Sequence, residues 1–404
     1  MNTIKALFTA ILGTLFIYLS YFGVSNIVIN TICSLTFIMI LFHLNKKQLF
    51  FTGFFVGIFW FWWIGYSFVY YDLSYLIVVV LIGIGLVYGL LFYLLGILQS
   101  LWYKVAYLVV LSYIHPFGFN WYVIELLFVE SFIGITKFDY ILVLTATAFF
   151  IYIYNNYSLR LATGVYMFII SCIILLQPQT PIMPNESKKI YLASTNVLQS
   201  QKWKKSNQNL LIEDVFQNIQ KAIENKYDII IFPETALPLV LNHHQHLIGN
   251  LKEQSKKIGI IVGSLYEKDH LLYNSSYGFY KGEITVANKV VLVPFGEAVP
   301  LPQKLRDFIN DKFYNGAKDY EVALIPTTFE FGDFKIRNAI CYEATTDKIY
   351  ENLDTQYIVA ISNNGWFIPS IQPTLQKLLL KYYAKKYSVK IFSVTNGSGS
   401  DVIN

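Results

Sequence analysis

The sequence predicts a polytopic α-helical membrane domain of about seven spans followed by a layered α/β domain, and three observations carry that expectation. The 404 residues are 55% hydrophobic and 17% aromatic but only 14% charged, where a soluble chain carries about 25% charge. Residues 1–180 hold only ten of the 57 charged side chains: Lys5, Lys46, Lys47, Lys104, Lys137, Arg160, Asp72, Glu125, Glu130 and Asp139. From Lys189 onward, stretches rich in β-branched residues alternate with amphipathic ones, the pattern of strands and helices packed in layers. The domains are therefore placed at 1–178 and 189–404, with a linker at 179–188 where Pro181 and Pro184, with Pro178 just before, prevent the last span from continuing.

Apolar runs of about 18 residues or more can cross roughly 30 Å of hydrocarbon. Such runs lie at 5–23, 26–44, 49–70, 75–98, 138–156 and 160–177. A seventh, 101–115, is shorter and stops at Pro116; beyond it Gly118, Phe119, Asn120, Trp121, Glu125 and Glu130 mark an interfacial or re-entrant loop. The first run is followed at once by others, so it reads as a retained span and not as a cleaved signal peptide. Seven crossings from a cytoplasmic N-terminus place Lys5, Lys46, Lys47, Lys104 and Arg160 inside and only Lys137 outside, which satisfies the positive-inside rule. Everything after about residue 178 is then extracytoplasmic, in a bacterium periplasmic. The span interiors carry almost no ionisable side chains, which disfavours a pump or transporter. The membrane half is expected to anchor the chain and to shape a lipid-facing cavity.

In the second half, strands are expected at 190–194, 228–232, 259–264, 272–280, 284–293, 334–340, 357–362 and 390–394. Leu210, Leu211, Val215, Ile219 and Ile223 form a helical stripe within 206–226, and 371–388 makes a second helix. No repeat and no low-complexity tract is present. The net charge of +5 is spread without a block or an aromatic-interleaved basic patch, so nucleic acid is not expected as a partner. Three cysteines make no disulfide framework; Cys33 and Cys172 fall in apolar runs, and only Cys341 lies in the second half. The histidines His43, His115, His243, His244, His246 and His270 lack the spacing of a zinc site, and the cluster at 243–246 reads as a polar loop. Neither a metal nor a cofactor is implied.

Three segments place a reactive residue type just beyond an expected strand, where the backbone is rigid and the side chain can reach a cleft. They are Ile231-Phe232-Pro233-Glu234, Asn288-Lys289 leading to Val293-Pro294-Phe295-Gly296-Glu297, and Ala339-Ile340-Cys341-Tyr342-Glu343. Singly, such residues are usually a solvated acid, a face charge and a core thiol.

In this order the segments resemble the Glu-Lys-Cys triad of the nitrilase superfamily, which implies an α-β-β-α sandwich. The run Leu292-Val293-Pro294-Phe295-Gly296-Glu297, with Lys289 eight residues before Glu297, Cys341-Tyr342-Glu343 after it and membrane spans before it, is similar to the apolipoprotein N-acyltransferases. Gly118-Phe119-Asn120-Trp121, Gln199-Ser200-Gln201-Lys202-Trp203 and Ser362-Asn363-Asn364-Gly365-Trp366-Phe367 resemble further motifs of that family, so the likeness covers nearly the whole chain. Two departures stand out. Ser393 and Lys390 occupy the region before Thr395-Asn396-Gly397 where the family usually has arginine, and the chain ends at Asn404 where the family continues into a final membrane span, which this chain is expected to lack.

The resemblance implies that Cys341 is the nucleophile, Glu234 the general base and acid, and Lys289 with the Tyr342 N–H the oxyanion donors. Glu297 and Glu343 would form a supporting shell, and Trp203, Trp366 and Asn363 would bind substrate. A phospholipid, phosphatidylethanolamine by expectation, would give its acyl chain to Cys341, and the α-amine of a lipoprotein's diacylglyceryl-cysteine would accept it. The enzyme is expected to act as a monomer in the inner membrane. Because Cys341 follows a strand and opens a helix beside Lys289, its thiolate is expected to be favoured. Two alternatives remain at this stage: a membrane-tethered amidase that passes the acyl group to water, which has no need of seven spans, and a transporter with an appended domain.

Overall fold

The computed structural model describes residues 2–70, 72–177, 187–304, 306–307 and 319–404, so Pro178 and most of the expected linker, residues 179–186, lie outside the described residues. The chain forms two compact units, one of Met1–Pro116, Asn120–Thr180 and Pro369–Tyr382, the other of Phe117–Phe119, Pro181–Ile368 and Tyr383–Asn404. Two short segments thus depart from the sequence boundary. In the first unit Lys381 pairs with Glu130, and in the second the Phe119 ring stacks on Tyr342. These long-range contacts are invisible to composition.

The first unit is helical: α1 Asn2–Tyr21, α2 Ile27–His43, α3 Lys46–Phe61, α4 Gly65–Val69, α5 Ile77–Leu95, α6 Leu101–Leu111, α7 Lys137–Asn156 and α8 Leu159–Leu175. Starts are set by caps: Asn26 accepts from Val28 and Ile29, and Asn45 and Thr136 each close a capping box, with Gln48 and Asp139. Where α3 meets α5, a Cβ on Gly53 would lie 2.3 Å from the Tyr88 carbonyl oxygen, so glycine allows the backbones to touch. Among the described residues, four helices are long and apolar enough to cross a membrane, Thr3–Tyr21, Lys46–Val69, Ser74–Leu95 and Lys137–Asn156; Ile27–His43 and Leu159–Leu175 are shorter apolar helices. The seventh expected run contains only the eleven residues of α6, about 16 Å of helix against roughly 30 Å of hydrocarbon. The unit also buries charge that was not expected. Lys104 donates to the Phe42 carbonyl at 2.7 Å, and Glu125, fully buried, pairs with Lys137 at 2.6 Å.

The second unit holds two five-stranded sheets. One has the order β1-β2-β3-β4-β5, with β1 Ile190–Leu192, β2 Ile229–Ile231, β3 Gly259–Lys268, β4 Leu271–Tyr280 and β5 Glu283–Asn288; the other has the order β10-β9-β8-β7-β6, with β6 Thr328–Phe331, β7 Phe334–Ile340, β8 Tyr357–Asn363, β9 Lys390–Asn396 and β10 Asp401–Ile403. Their inner faces pack together through Ile229, Ile231, Ile261 and Ala287 against Phe329, Ile336, Val359 and Val394. A buried Ser276–Asn338 hydrogen bond of 2.6 Å ties β4 to β7 across that core. The outer face of the first sheet is covered by α10 Lys205–Glu224 and α11 Gln245–Gln254, whose Val215, Ile219, Leu247 and Leu251 pack on Ile230, Ile260 and Val262. Strands β6 and β10 and helix α11 were not read from the sequence, and His246 accordingly sits on a helix and not in a loop.

The expected strand 284–293 ends at Asn288. The reason is a competing acceptor: the N–H groups of Val290 and Val291 are taken by the Glu343 carboxylate at 2.6 and 3.1 Å, so the ladder cannot continue.

Candidate active site

The three sequence-selected residues each lie just past a strand, and the fold brings those ends together. Glu234 lies three residues after β2. Its loop lies so close on β3 that a Cβ at Gly263 would sit 2.6 Å from the Thr235 nitrogen and 2.8 Å from the Glu234 Cα. Lys289 follows β5 directly and is fully buried. Cys341 follows β7 with φ 56°, a left-handed conformation that costs a non-glycine residue about 1–2 kcal/mol and turns the chain sharply at the sulfur. It opens a five-residue 3₁₀ turn, Cys341–Thr345. The expected helix with its dipole is absent there.

Every polar atom of the Glu234 side chain is held. Its Oε1 accepts from Asn274 Nδ2 at 2.8 Å and its Oε2 from the Asn363 backbone N–H at 2.8 Å, while its own carbonyl accepts from the buried Lys202 Nζ at 2.9 Å. Lys289 Nζ lies 2.6 Å from Glu297 Oε2, which also accepts from the Val293 N–H at 2.9 Å. Glu343, almost fully buried, joins the strand end at Ile340, whose N–H it accepts at 2.7 Å, to the Val290–Val291 backbone beside Lys289. The Tyr342 ring stacks on Phe119 with centroids 5.5 Å apart and 5° between planes, and its hydroxyl donates to the Gly118 carbonyl at 3.2 Å.

Electrostatics correct one expectation. The Cys341 thiol is not acidified: burial, then the nearby Glu234 carboxylate, push it up to about 12, and the opposing Lys289 charge and Asn363 N–H only reduce the rise. The sulfur is therefore a neutral thiol at pH 7, and a thiolate forms only if a base takes its proton. Burial pulls the Lys289 ammonium down, but Glu297, Glu234, Cys341 and Glu343 together outweigh it and leave its pKa raised. Burial lifts Glu343 to about 7 against the pull of Lys289 and of the Val290, Ile340 and Val291 N–H groups. Lys202 is lowered by burial to about 8, with Glu234 opposing.

Asn274, which helps build the site, is not singled out by the sequence, and the motif residues Gln199, Asn363 and Asn396 take structural roles that their motifs do not disclose. Asn274 is a mid-strand residue on β4 with no motif around it. Gln199, Asn363 and Asn396 form a buried amide chain, Asn363 Nδ2 donating to Gln199 Oε1 at 2.9 Å and Asn396 Nδ2 to Asn363 Oδ1 at 2.8 Å. Asn363, expected to bind substrate, is thus committed to protein partners and holds Glu234. Trp203 is 44% exposed after the short helix α9 Gln199–Lys202, and Trp366 is half-buried in the turn Asn364–Trp366. Among the described residues, no group of three His, Cys, Asp or Glu side chains is arranged to hold a metal ion.

Residues 1–173 match the family model of the apolipoprotein N-acyltransferase integral membrane domain, and residues 193–393 match that of the carbon-nitrogen hydrolases. An apolipoprotein N-acyltransferase of Wolinella succinogenes is 39% identical over 98% of this chain and 95% of its own length. One from Campylobacter jejuni is 37% identical over 99% of this chain and 89% of its own. Among solved structures, a CN-hydrolase superfamily protein from Xanthomonas campestris aligns with a TM-score of 0.41 at 16% identity, covering 55% of this chain and 83% of that one. With both halves matched and identity sustained from end to end, the chain belongs to the apolipoprotein N-acyltransferase family.

Proposed function

We propose that this protein transfers a fatty acyl chain from a phospholipid, through a thioester on Cys341, to the α-amine of the diacylglyceryl-cysteine of a bacterial lipoprotein. The observation that carries the reading is the placement of Glu234, both of whose carboxylate oxygens are fixed by hydrogen bonds beside a thiol that cannot ionise unaided.

In the first half-reaction Glu234 takes the Cys341 proton as the sulfur attacks the ester carbonyl. Lys289 and the Tyr342 N–H stabilise the oxyanion, a donor of this kind contributing roughly 3 to 4 kcal/mol. The carbon–oxygen bond to glycerol then breaks, Glu234 protonates the departing oxygen, and lysophospholipid leaves. In the second, the neutral amine attacks the thioester, Glu234 accepts the amine proton, the carbon–sulfur bond breaks, and the proton returns to sulfur. Kinetics are ping-pong. Glu297 orients Lys289, Glu343 locks the Lys289 and Cys341 segments to each other, and Trp203 and Trp366 face substrate. The chain acts as a monomer in the inner membrane with a cytoplasmic N-terminus, a periplasmic catalytic unit and phosphatidylethanolamine as donor. The lysine bias between apolar runs supports that orientation.

The test is transfer of a labelled acyl chain from phosphatidylethanolamine to a diacylglyceryl-cysteine peptide. Labelled lipopeptide is expected with the parent chain and none with Cys341→Ala. Labelled free fatty acid without lipopeptide would instead make the protein a hydrolase.

A further inference from the structure

We propose that Asn274 is a positioning residue that sets the placement of both site carboxylates, Glu234 and Glu297, and is not an oxyanion donor. This inference rests on the acyl-transfer reading above. The side chain is 3% exposed and its one amide nitrogen reaches Glu234 Oε1 and Glu297 Oε1, each at 2.8 Å. A carboxamide has two N–H donors and an ionised carboxylate has none, so the amide must face the acids nitrogen first and both donors are spent. None is left for a developing oxyanion. The second oxygen of each acid is separately fixed, Glu234 Oε2 by the Asn363 N–H and Glu297 Oε2 by Lys289 and the Val293 N–H. Asn274 is therefore the bridge between the acid beside the thiol and the acid on the lysine. Its backbone adds a third tie, since the Lys289 N–H donates to the Asn274 carbonyl at 2.9 Å. Without the fork the two carboxylates, each held within 2.8 Å of one nitrogen, keep their like charges close with no donor between them, which disfavours joint ionisation.

The readout is a pH profile. The charged and titratable groups around the fork are Glu234, Glu297, Lys289, Cys341 and Glu343, with Lys202 behind the Glu234 carbonyl. Asn274→Asp puts a third carboxylate between two, so the base is neutralised at higher pH than in the parent. Asn274→Gln keeps both donors one methylene further out.

The experiment measures single-turnover acylation of Cys341 in the full-length detergent-solubilised protein, given phosphatidylethanolamine, by intact mass from about pH 5 to about pH 9. Asn274→Asp is expected to acylate at least about threefold more slowly than the parent near pH 5 and to close that gap by about pH 9, an acid limb moved up in pH by the added carboxylate. Asn274→Gln should keep the parent limb with a lower plateau. Loss by one factor at every pH in both variants would assign Asn274 to the oxyanion or to folding, and an unmoved limb in Asn274→Asp would likewise overturn the inference. Failure of the parent protein itself to form a Cys341 adduct would sink the acyl-transfer reading instead, so the two failures are separable.

Discussion

Glu343 accepts the backbone N–H of Val290 at 2.6 Å across 53 residues of sequence, and through its other oxygen holds the N–H of Ile340 at 2.7 Å. One carboxylate therefore fixes the segment after Lys289 against the residue before Cys341. A glutamine there keeps one acceptor oxygen in place of two and leaves a buried N–H unsatisfied, at about 1–3 kcal/mol. Glu343→Gln is expected to lower the acylation rate by on the order of 100-fold, as a displacement of an ångström at a reacting centre does. Single-turnover acylation measures it; an unchanged rate would remove Glu343 from the site's framework.

Glu343 also carries a pH signature. Its folded-state pKa of about 7 stands above the ordinary 4.5, so the folded protein binds the proton more tightly than the unfolded one between those values. Stability is then expected to fall as pH rises through that window, by about 3 kcal/mol in full, and to level off above it. Melting temperature in detergent, followed from pH 4.5 to 7, should show this slope in the parent and a flatter one in Glu343→Gln. Equal slopes would mean that Glu343 is already ionised throughout.

With its thiol at about 12, Cys341 should alkylate slowly at neutral pH. The iodoacetamide rate is expected to climb roughly tenfold per unit through pH 9 and 10, with no plateau near the ordinary cysteine value of about 8.5. Lys289→Met removes the charge that restrains the rise and should slow alkylation further. A plateau below pH 8 would show that the free enzyme holds a thiolate.

Gly263 is where β3 admits the Glu234 loop. A Cβ there meets the Thr235 nitrogen at 2.6 Å and the Pro233 oxygen at 2.7 Å, both backbone, so Gly263→Ala has to push Glu234 away. The expected cost is about 1–3 kcal/mol of stability and roughly a hundredfold in acylation. Recovery of the Cys341 adduct at the parent rate would show that the loop yields without moving Glu234.

Arg337 is a stability site separate from the chemistry. Its guanidinium, 5% exposed, donates to Thr328 Oγ1 at 2.8 Å, the Asn352 carbonyl at 3.1 Å and Asp354 Oδ1 at 3.0 Å. Arg337→Met strands the buried acceptors among these while Asp354, 46% exposed, stays solvated, and a loss of about 1–3 kcal/mol is expected. Slight burial raises Asp354, but hydrogen bonds from Thr328 and Arg337 win and hold it low. The stability it lends is present above the unfolded carboxylate pKa and lost as pH falls, so the variant should show a weaker acid-side decline in melting temperature.

The sequence by itself determined the division into an apolar and a charged half, most helices and strands, and the strand-end residues Glu234, Lys289 and Cys341. These are legible because burial imposes periods of 3.6 and 2 and because reactive types after strands keep recognisable neighbours. Only the tertiary structure decided how the site is held. Asn274 gives no signal in a strand because its partners are 40 and 23 residues away and are fixed by register, and Lys202 looks like a surface cation until its ammonium is found on the Glu234 carbonyl. The ionisation of Cys341 meets the same limit: a motif specifies which charges are near a thiol, but how far burial outweighs them depends on the packing of distant segments around it.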